Sequence, residues 1–182
     1  MSDAALRTAL VVAVPEAALV VDAWRERTSY AKPSAGVPAH VTVLFPFVPA
    51  ARVTEQLRVD LHGLFGTFPT FAVTFAETAR FESVLYLAPL PAEPFVRLTE
   101  AVVRAYPEYP PYDGEFDEVV PHLTVAEGDP ETLEEAEREI HGALPIETHV
   151  AEVLLLEELK PRAARWDVRA AFPLHAPASD TA

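Results

Sequence analysis

Cysteine, lysine and glycine are the residue types that this sequence lacks or holds in small number. The 182-residue chain has no cysteine, two lysines (Lys32 and Lys160) and six glycines. Without cysteine it forms neither a disulfide framework nor a thiolate metal site, which fits a reducing compartment. With few glycines and no glycine-rich phosphate loop, the sequence argues against P-loop and dinucleotide-binding folds. No serine lies in a Gly-x-Ser-x-Gly setting, which argues against a serine hydrolase.

Positive charge is also scarce. The chain carries 28 acidic and 14 basic residues, a formal net charge of -14. Because lysine and arginine contacts with phosphates supply most non-specific affinity for nucleic acids, such a surface repels long polyanions. The one segment that could imitate a membrane span, residues 9–24, is broken by a proline and two acidic residues. We therefore expect a cytoplasmic monomer that binds no long nucleic acid and no membrane.

The remaining composition is that of a folded protein, with 50% apolar residues and a mean hydropathy of +0.12. Periodicity and breakers predict the following elements. Strands are expected at residues 8–14, 38–45, 71–76, 84–88, 121–125, 146–158 and 166–174, and helices at 15–27, 53–66, 94–106 and 129–141. Each half of the chain thus holds strands and packing helices, and no linker separates the halves. We expect one bilobal α+β domain over residues 1–175, followed by a loose tail at 176–182.

One short pattern occurs in both halves. Residues 38–43 read Pro-Ala-His-Val-Thr-Val and residues 121–125 read Pro-His-Leu-Thr-Val, with the second histidine 82 positions after the first. Alternation predicts a strand for each copy, with the histidine and threonine on one face. A single strand of this kind is explained by a half-buried sheet whose polar face meets water. Two copies with an upstream proline and a following valine favour a shared functional site.

Two imidazoles can divide acid and base work between them. The ordinary histidine pKa is about 6.5, so near neutral pH one ring can be protonated while another is neutral. If His40 and His122 face one another across a cleft, one accepts a proton from an attacking oxygen and the other protonates a leaving oxygen, as phosphodiester cleavage requires. The hydroxyls of Thr42 and Thr124 can donate to the non-bridging oxygens, so this chemistry needs no metal.

The two tetrads, residues 40–43 (His-Val-Thr-Val) and 122–125 (His-Leu-Thr-Val), resemble those of the two-histidine (2H) phosphoesterase superfamily. The bacterial branch of that superfamily is often labelled 2′-5′ RNA ligase. The resemblance extends over nearly the whole chain. The opening strand and helix, the strand at 84–87 and the closing strand at 166–174 occupy comparable places in that family.

The resemblance implies a fold, a reaction and a set of site residues. The fold is α+β, bilobal and pseudo-twofold, with antiparallel sheets and outer helices around a central groove. The reaction is the metal-independent hydrolysis of 2′,3′-cyclic phosphate or 2′-5′-linked phosphodiesters on small nucleotides or RNA ends, without a cofactor. His40 and His122 would be the catalytic acid and base, in an order left open, and Thr42 and Thr124 would bind the phosphate.

The residues after the second tetrad depart from this pattern. Some RNA-acting relatives carry a basic residue there, whereas residues 126–129 are Ala-Glu-Gly-Asp. The departure argues against RNA ligation and favours a small cyclic or nucleotide-derived substrate or a short RNA end. Local candidates for positive charge near the phosphate are Lys32, Arg27, Arg80 and Arg104.

Two other uses of the same residues stay open. The histidines could bind a metal together with carboxylates of the proline-rich loop at 106–118; the candidates are Asp113, Glu115, Asp117 and Glu118. Alternatively, the groove could bind a nucleotide or RNA end without turnover, with a loop aromatic stacked on a base; the candidates are Tyr109, Tyr112 and Phe116.

Overall fold

The computed structural model describes residues 6–115, 119–160 and 165–176, and within them lie eight strands and four helices. The strands are β1 (Thr8–Ala13), β2 (His40–Leu44), β3 (Phe71–Arg80), β4 (Val84–Leu90), β5 (Leu123–Glu127), β6 (Ile146–Val150), β7 (Glu152–Lys160) and β8 (Arg165–Pro173). The helices are α1 (Ala18–Thr28), α2 (Glu55–Phe65), α3 (Glu93–Ala105) and α4 (Pro130–Ile140). The predicted α+β class is therefore confirmed.

All eight strands belong to one antiparallel sheet with the order β6-β3-β4-β5-β2-β1-β7-β8. The two motif strands, β2 and β5, are neighbours at its centre. They pair over a short register in which Val41 lies opposite Leu123. On either side of this junction stand three further strands. The organisation of the chain as one bilobal domain stays a prediction.

The two faces of the sheet are covered differently. Alternation along β1 turns Leu10 and Val12 toward a large buried cluster to which all four helices contribute. Ala9 and Val11 point to the opposite face and join a much smaller cluster with residues of β7 and of the loop before β2. The large cluster therefore packs on one face of the sheet, and the other face can hold a groove.

Several element boundaries differ from those predicted. The run 146–158 is not one strand: it divides at Ala151 into β6, on the outer edge of one half, and β7, which pairs with β1. No proline or glycine marks the division, so the residue types give no sign of the crossing. β3 extends to Arg80, beyond the predicted end at residue 76. The register shift between Phe75 and Glu77 interrupts the alternation that marks a strand, and the predicted strand therefore ended too early.

The second motif is only partly a strand. β5 begins at Leu123, so His122 lies one residue before it, whereas β2 begins at His40 itself. Pro121 has no backbone N–H to donate to a neighbouring strand. The predicted tail at 176–182 lies outside the described residues after Ala176. Among the helices that the structure describes, none is long and apolar enough to cross a membrane.

Candidate active site

A groove of about 540 Å³ opens on the face of the sheet that carries the smaller cluster, with Arg25 of α1 in its lining. Its lining includes all four residues that the sequence singled out, His40, Thr42, His122 and Thr124. Antiparallel pairing about Val41 and Leu123 brings each histidine toward the threonine of the other strand. Two segments far apart in the chain therefore form one polar patch.

The two imidazoles are held in the same way. Nδ1 of His40 lies 2.8 Å from the carbonyl oxygen of Pro38, and Nδ1 of His122 lies 2.7 Å from that of Val120. A carbonyl oxygen only accepts hydrogen bonds, so each Nδ1 carries its proton and donates it. This tautomer leaves Nε2 of each ring as the nitrogen that exchanges protons with a ligand.

Burial shifts both histidines away from their ordinary titration. It lowers the pKa of His40 to about 4, to which the nearby charges of Arg25 and His122 also contribute. Burial lowers the pKa of His122 as well. The ordinary pKa expected for both histidines from the sequence is therefore wrong for the free protein, because both rings are largely withdrawn from water. A phosphate anion between the rings would favour their charged forms and raise both pKa values.

Aromatic side chains support the second histidine. The ring of Phe81 stands edge-on to the His122 ring at 5.1 Å between centroids, and the Tyr86 ring at 5.5 Å. Phe81 and Tyr86 also stack on each other at 4.4 Å. These contacts restrict the orientation of the imidazole and account for part of its burial.

Of the loop aromatics predicted to stack on a base, Tyr112 lies in the groove and Tyr109 does not. The side chain of Tyr112 lines the groove and hydrogen-bonds that of Thr42, and its backbone N–H donates to the carbonyl of Phe45 at 2.7 Å. Tyr109 lies elsewhere, with its ring edge-on to Phe47 and its hydroxyl accepting from Arg52. Phe116 falls outside the described residues.

The basic residues in the groove are not those expected. The structure places Arg7 and Arg25 in its lining. Of the predicted candidates, Arg27 lies over the ring of Trp24 and Arg80 pairs with Glu137; Lys32 and Arg104 are not among the lining residues. Arg25 was missed because it lies within α1, and nothing in the helix pattern marks it as buried.

A carboxylate, Glu127, also lines the groove and accepts a hydrogen bond from the hydroxyl of Ser29 at 2.6 Å. It is the acidic residue that follows the second motif in place of a basic one. Each groove arginine is already paired, Arg7 with Glu158 and Arg25 with Asp22. The groove therefore offers a phosphate hydrogen-bond donors, with little excess of positive charge.

The alternative metal site does not form from the described residues. Among residues 6–115, 119–160 and 165–176, no three histidine or acidic side chains converge as a metal would require. Asp113 and Glu115 thus do not join the two histidines, and Asp117 and Glu118 lie outside the described residues.

The chain belongs to the 2′-5′ RNA ligase superfamily, whose family model matches residues 13–162. Solved structures share its fold. Escherichia coli LigT complexed with 3′-AMP is 18% identical with a TM-score of 0.60, over 93% of this chain and 98% of LigT. The Thermus thermophilus protein TT0787 is 24% identical with a TM-score of 0.60, over 93% of this chain and 98% of its own. No curated protein shows significant similarity to the chain.

Proposed function

We propose that this protein is a metal-independent phosphodiesterase that hydrolyses 2′,3′-cyclic phosphate or 2′-5′-linked phosphodiesters on small nucleotides or RNA ends. The proposal rests on one observation: His40 and His122 line a single groove, each with Nδ1 bonded to a backbone carbonyl and Nε2 left for the ligand. Paired imidazoles of this kind can transfer protons at both ends of a phosphodiester.

In the proposed reaction, water adds across one phosphorus–oxygen bond. Nε2 of one histidine takes a proton from the attacking water as its oxygen bonds to phosphorus. Nε2–H of the other gives a proton to the oxygen that leaves, so that a phosphomonoester and a free hydroxyl result. The hydroxyls of Thr42 and Thr124 donate to the non-bridging oxygens, whose charge increases in the transition state.

The reaction needs one histidine in its protonated form, and the negative charge of the ligand favours that form. In the free protein both pKa values are lowered, so both rings are neutral at pH 7. An anionic phosphodiester within a few ångströms stabilises an imidazolium, which raises its pKa toward the working range. Substrate binding and proton uptake are therefore coupled, and the protonated histidine serves as the acid.

Three features support a small substrate over a long RNA. The formal net charge is -14, the groove holds the carboxylate of Glu127, and its arginines are paired with acidic residues. A long polyanion gains little from such a surface. Structures of LigT complexed with 3′-AMP, ATP and NADP+ show that a protein of this fold accommodates small nucleotides. We extend that ligand class to this chain and do not extend RNA ligation to it.

A non-catalytic binding module is the second candidate, and the lowered pKa values are the observation that favours it. Two neutral imidazoles and two threonine hydroxyls can bind a phosphate through hydrogen bonds without transferring a proton. If the ligand fails to raise either pKa, the groove would bind a nucleotide or RNA end and release it unchanged.

The deciding experiment measures hydrolysis of 2′,3′-cyclic nucleotides and of a short RNA ending in a 2′,3′-cyclic phosphate, with EDTA present. Wild type should turn over at least one of them, and His40→Ala and His122→Ala should each abolish turnover with the fold retained. Thr42→Val or Thr124→Val should lower kcat by about 10²-fold, the effect of losing one transition-state donor. The matched control is His149→Ala, since His149 is exposed on the edge strand β6.

The outcomes separate the candidates. A double histidine variant that stays active would refute the acid–base mechanism, and loss of activity in EDTA would point to a metal. Calorimetric binding of 3′-AMP without turnover of either substrate class would favour the binding module.

A further inference from the structure

Arg25 is a buried charged residue beside the candidate catalytic histidines. It is 1% exposed and lines the groove from α1. Its Nη1 donates to Oδ1 of Asp22 at 2.7 Å, which partners the buried charge. Its Nη2 lies within hydrogen-bond distance of three carbonyl oxygens, those of Ala31 at 2.7 Å, Val37 at 3.0 Å and Pro38 at 3.0 Å.

These three carbonyls lie at the two ends of the loop that precedes β2. Nη2 carries two N–H groups, so the three oxygens must share them. One guanidinium nitrogen thus draws the beginning and the end of this loop together. The planar guanidinium presents its donors in a rigid geometry, which a flexible ammonium group cannot reproduce.

One of the three carbonyls also holds a histidine. The oxygen of Pro38 accepts from Arg25 Nη2 at 3.0 Å and from Nδ1 of His40 at 2.8 Å. The position of this oxygen determines where the His40 ring can make its hydrogen bond, and so which ring nitrogen carries the proton. Arg25 therefore acts on the imidazole through a shared backbone acceptor.

We propose that Arg25 is a positioning residue for His40, which fixes the Pro38 carbonyl and thereby keeps Nε2 of His40 as the nitrogen that exchanges protons in the groove. This inference rests on the proposed function for its meaning in catalysis. The tautomer itself is a property of the free protein, whatever the ligand.

The second motif provides an internal comparison. His122 makes the same kind of bond through Nδ1, to the Val120 carbonyl at 2.7 Å, but Arg25 makes no hydrogen bond to that carbonyl. The carbonyl that accepts from His40 is therefore also bonded by Arg25, whereas the carbonyl that accepts from His122 is not. Removing the arginine should change His40 and leave His122 as it is.

The charge of Arg25 acts in the same place. Of the titratable side chains that line the groove with His40, Arg25 on α1 and His122 before β5 lower its pKa by their charge; Arg7, Tyr30, Tyr112, Glu127 and Glu158 also line the groove. A neighbouring cation disfavours the imidazolium, and Arg25 contributes to the lowered pKa of His40. Its loss removes that contribution, but loosening the Pro38 carbonyl weakens a bond that raises the same pKa, so the tautomer and not the pKa is the deciding readout.

The test is ¹⁵N NMR of the histidine rings in Arg25→Met and Arg25→Lys, since the nitrogen shifts distinguish the two tautomers. In Arg25→Met we expect His40 to lose part of its Nδ1–H population and kcat to fall at least tenfold, with His122 unchanged. Lysine keeps the charge and an N–H donor, so Arg25→Lys should show smaller losses of the tautomer population and of kcat than Arg25→Met. Arg27→Met, on the exposed side of the same helix, is the matched control.

Asp22→Asn is a second variant that loosens the guanidinium without removing it, should Arg25→Met fail to fold. It should move the His40 tautomer in the same direction by a smaller amount. The proposal is overturned if His40 keeps its tautomer in the folded variants, or if both histidines change together, which would indicate general loosening. If wild type turns over no substrate, the proposed function fails while the NMR result still decides the role of Arg25.

Discussion

The lowered pKa of His40 predicts a pH dependence of folding stability, which can be measured without a substrate. The unfolded chain has a histidine pKa of about 6.5, whereas the folded protein lowers the pKa of His40 to about 4. As the pH falls below 6.5, the unfolded state therefore takes up a proton at this residue before the folded state does. By linkage, the free energy of unfolding decreases from about pH 6.5 down to about pH 4.

The size of this effect follows from the interval between the two pKa values. Each pH unit within it costs about 1.4 kcal/mol, so the descent from pH 7 to pH 4.5 removes about 2–3 kcal/mol at most through His40. The ring retains some solvent access, which reduces the figure. We therefore expect about 2 kcal/mol, which is large against a typical domain stability of about 5–15 kcal/mol.

The assay is urea unfolding of wild type and His40→Asn at pH 7 and at pH 4.5. Carboxylates also titrate in this range, but they do so in both proteins and cancel in the comparison. Wild type should lose about 2 kcal/mol more than the variant over this pH change. His149→Asn, at an exposed position of β6, should behave as wild type. Equal losses in wild type and His40→Asn would refute the argument that burial keeps His40 neutral.

Two further predictions concern activity. The pH profile of kcat/KM should be bell-shaped with its maximum below pH 6.5, because this ratio reports the pKa values of the free enzyme and burial lowers both; a rate that keeps rising above pH 7 would contradict it. Gly36→Ala should lower both the melting temperature and the activity, because Gly36 has φ +85° and an added Cβ would clash with the backbone oxygen of Trp166. Gly142→Ala, where a Cβ meets nothing within 4 Å, is its control, and equal effects of the two substitutions would show that the contact is unimportant.

Much of the candidate site could be predicted because its signal is local. The period of two in each motif places a histidine and a threonine on one strand face, and the repetition of the pattern indicates that the two faces act together. The structure brings these residues to one groove. Their roles as acid, base and phosphate ligands stay predictions until variants are assayed.

Other features could not be predicted because they depend on contacts between distant segments. The sequence shows no reason for Tyr112 to reach Thr42 while Tyr109 packs on Phe47, since both lie in the same proline-rich loop. The division of residues 146–158 at Ala151 has no turn signal either, because no proline or glycine marks it and both parts have residue types typical of strands.

The sequence by itself determined most of the elements, the polar face shared by the histidine and threonine of each motif, and the repetition that pairs the two motifs. Only the tertiary structure decided that β2 and β5 are neighbours, that Arg25 is buried beside His40, and that both imidazoles have lowered pKa values. The physical reason is that a side chain's face follows from local backbone geometry, whereas its burial and its neighbours follow from which distant segments cover it.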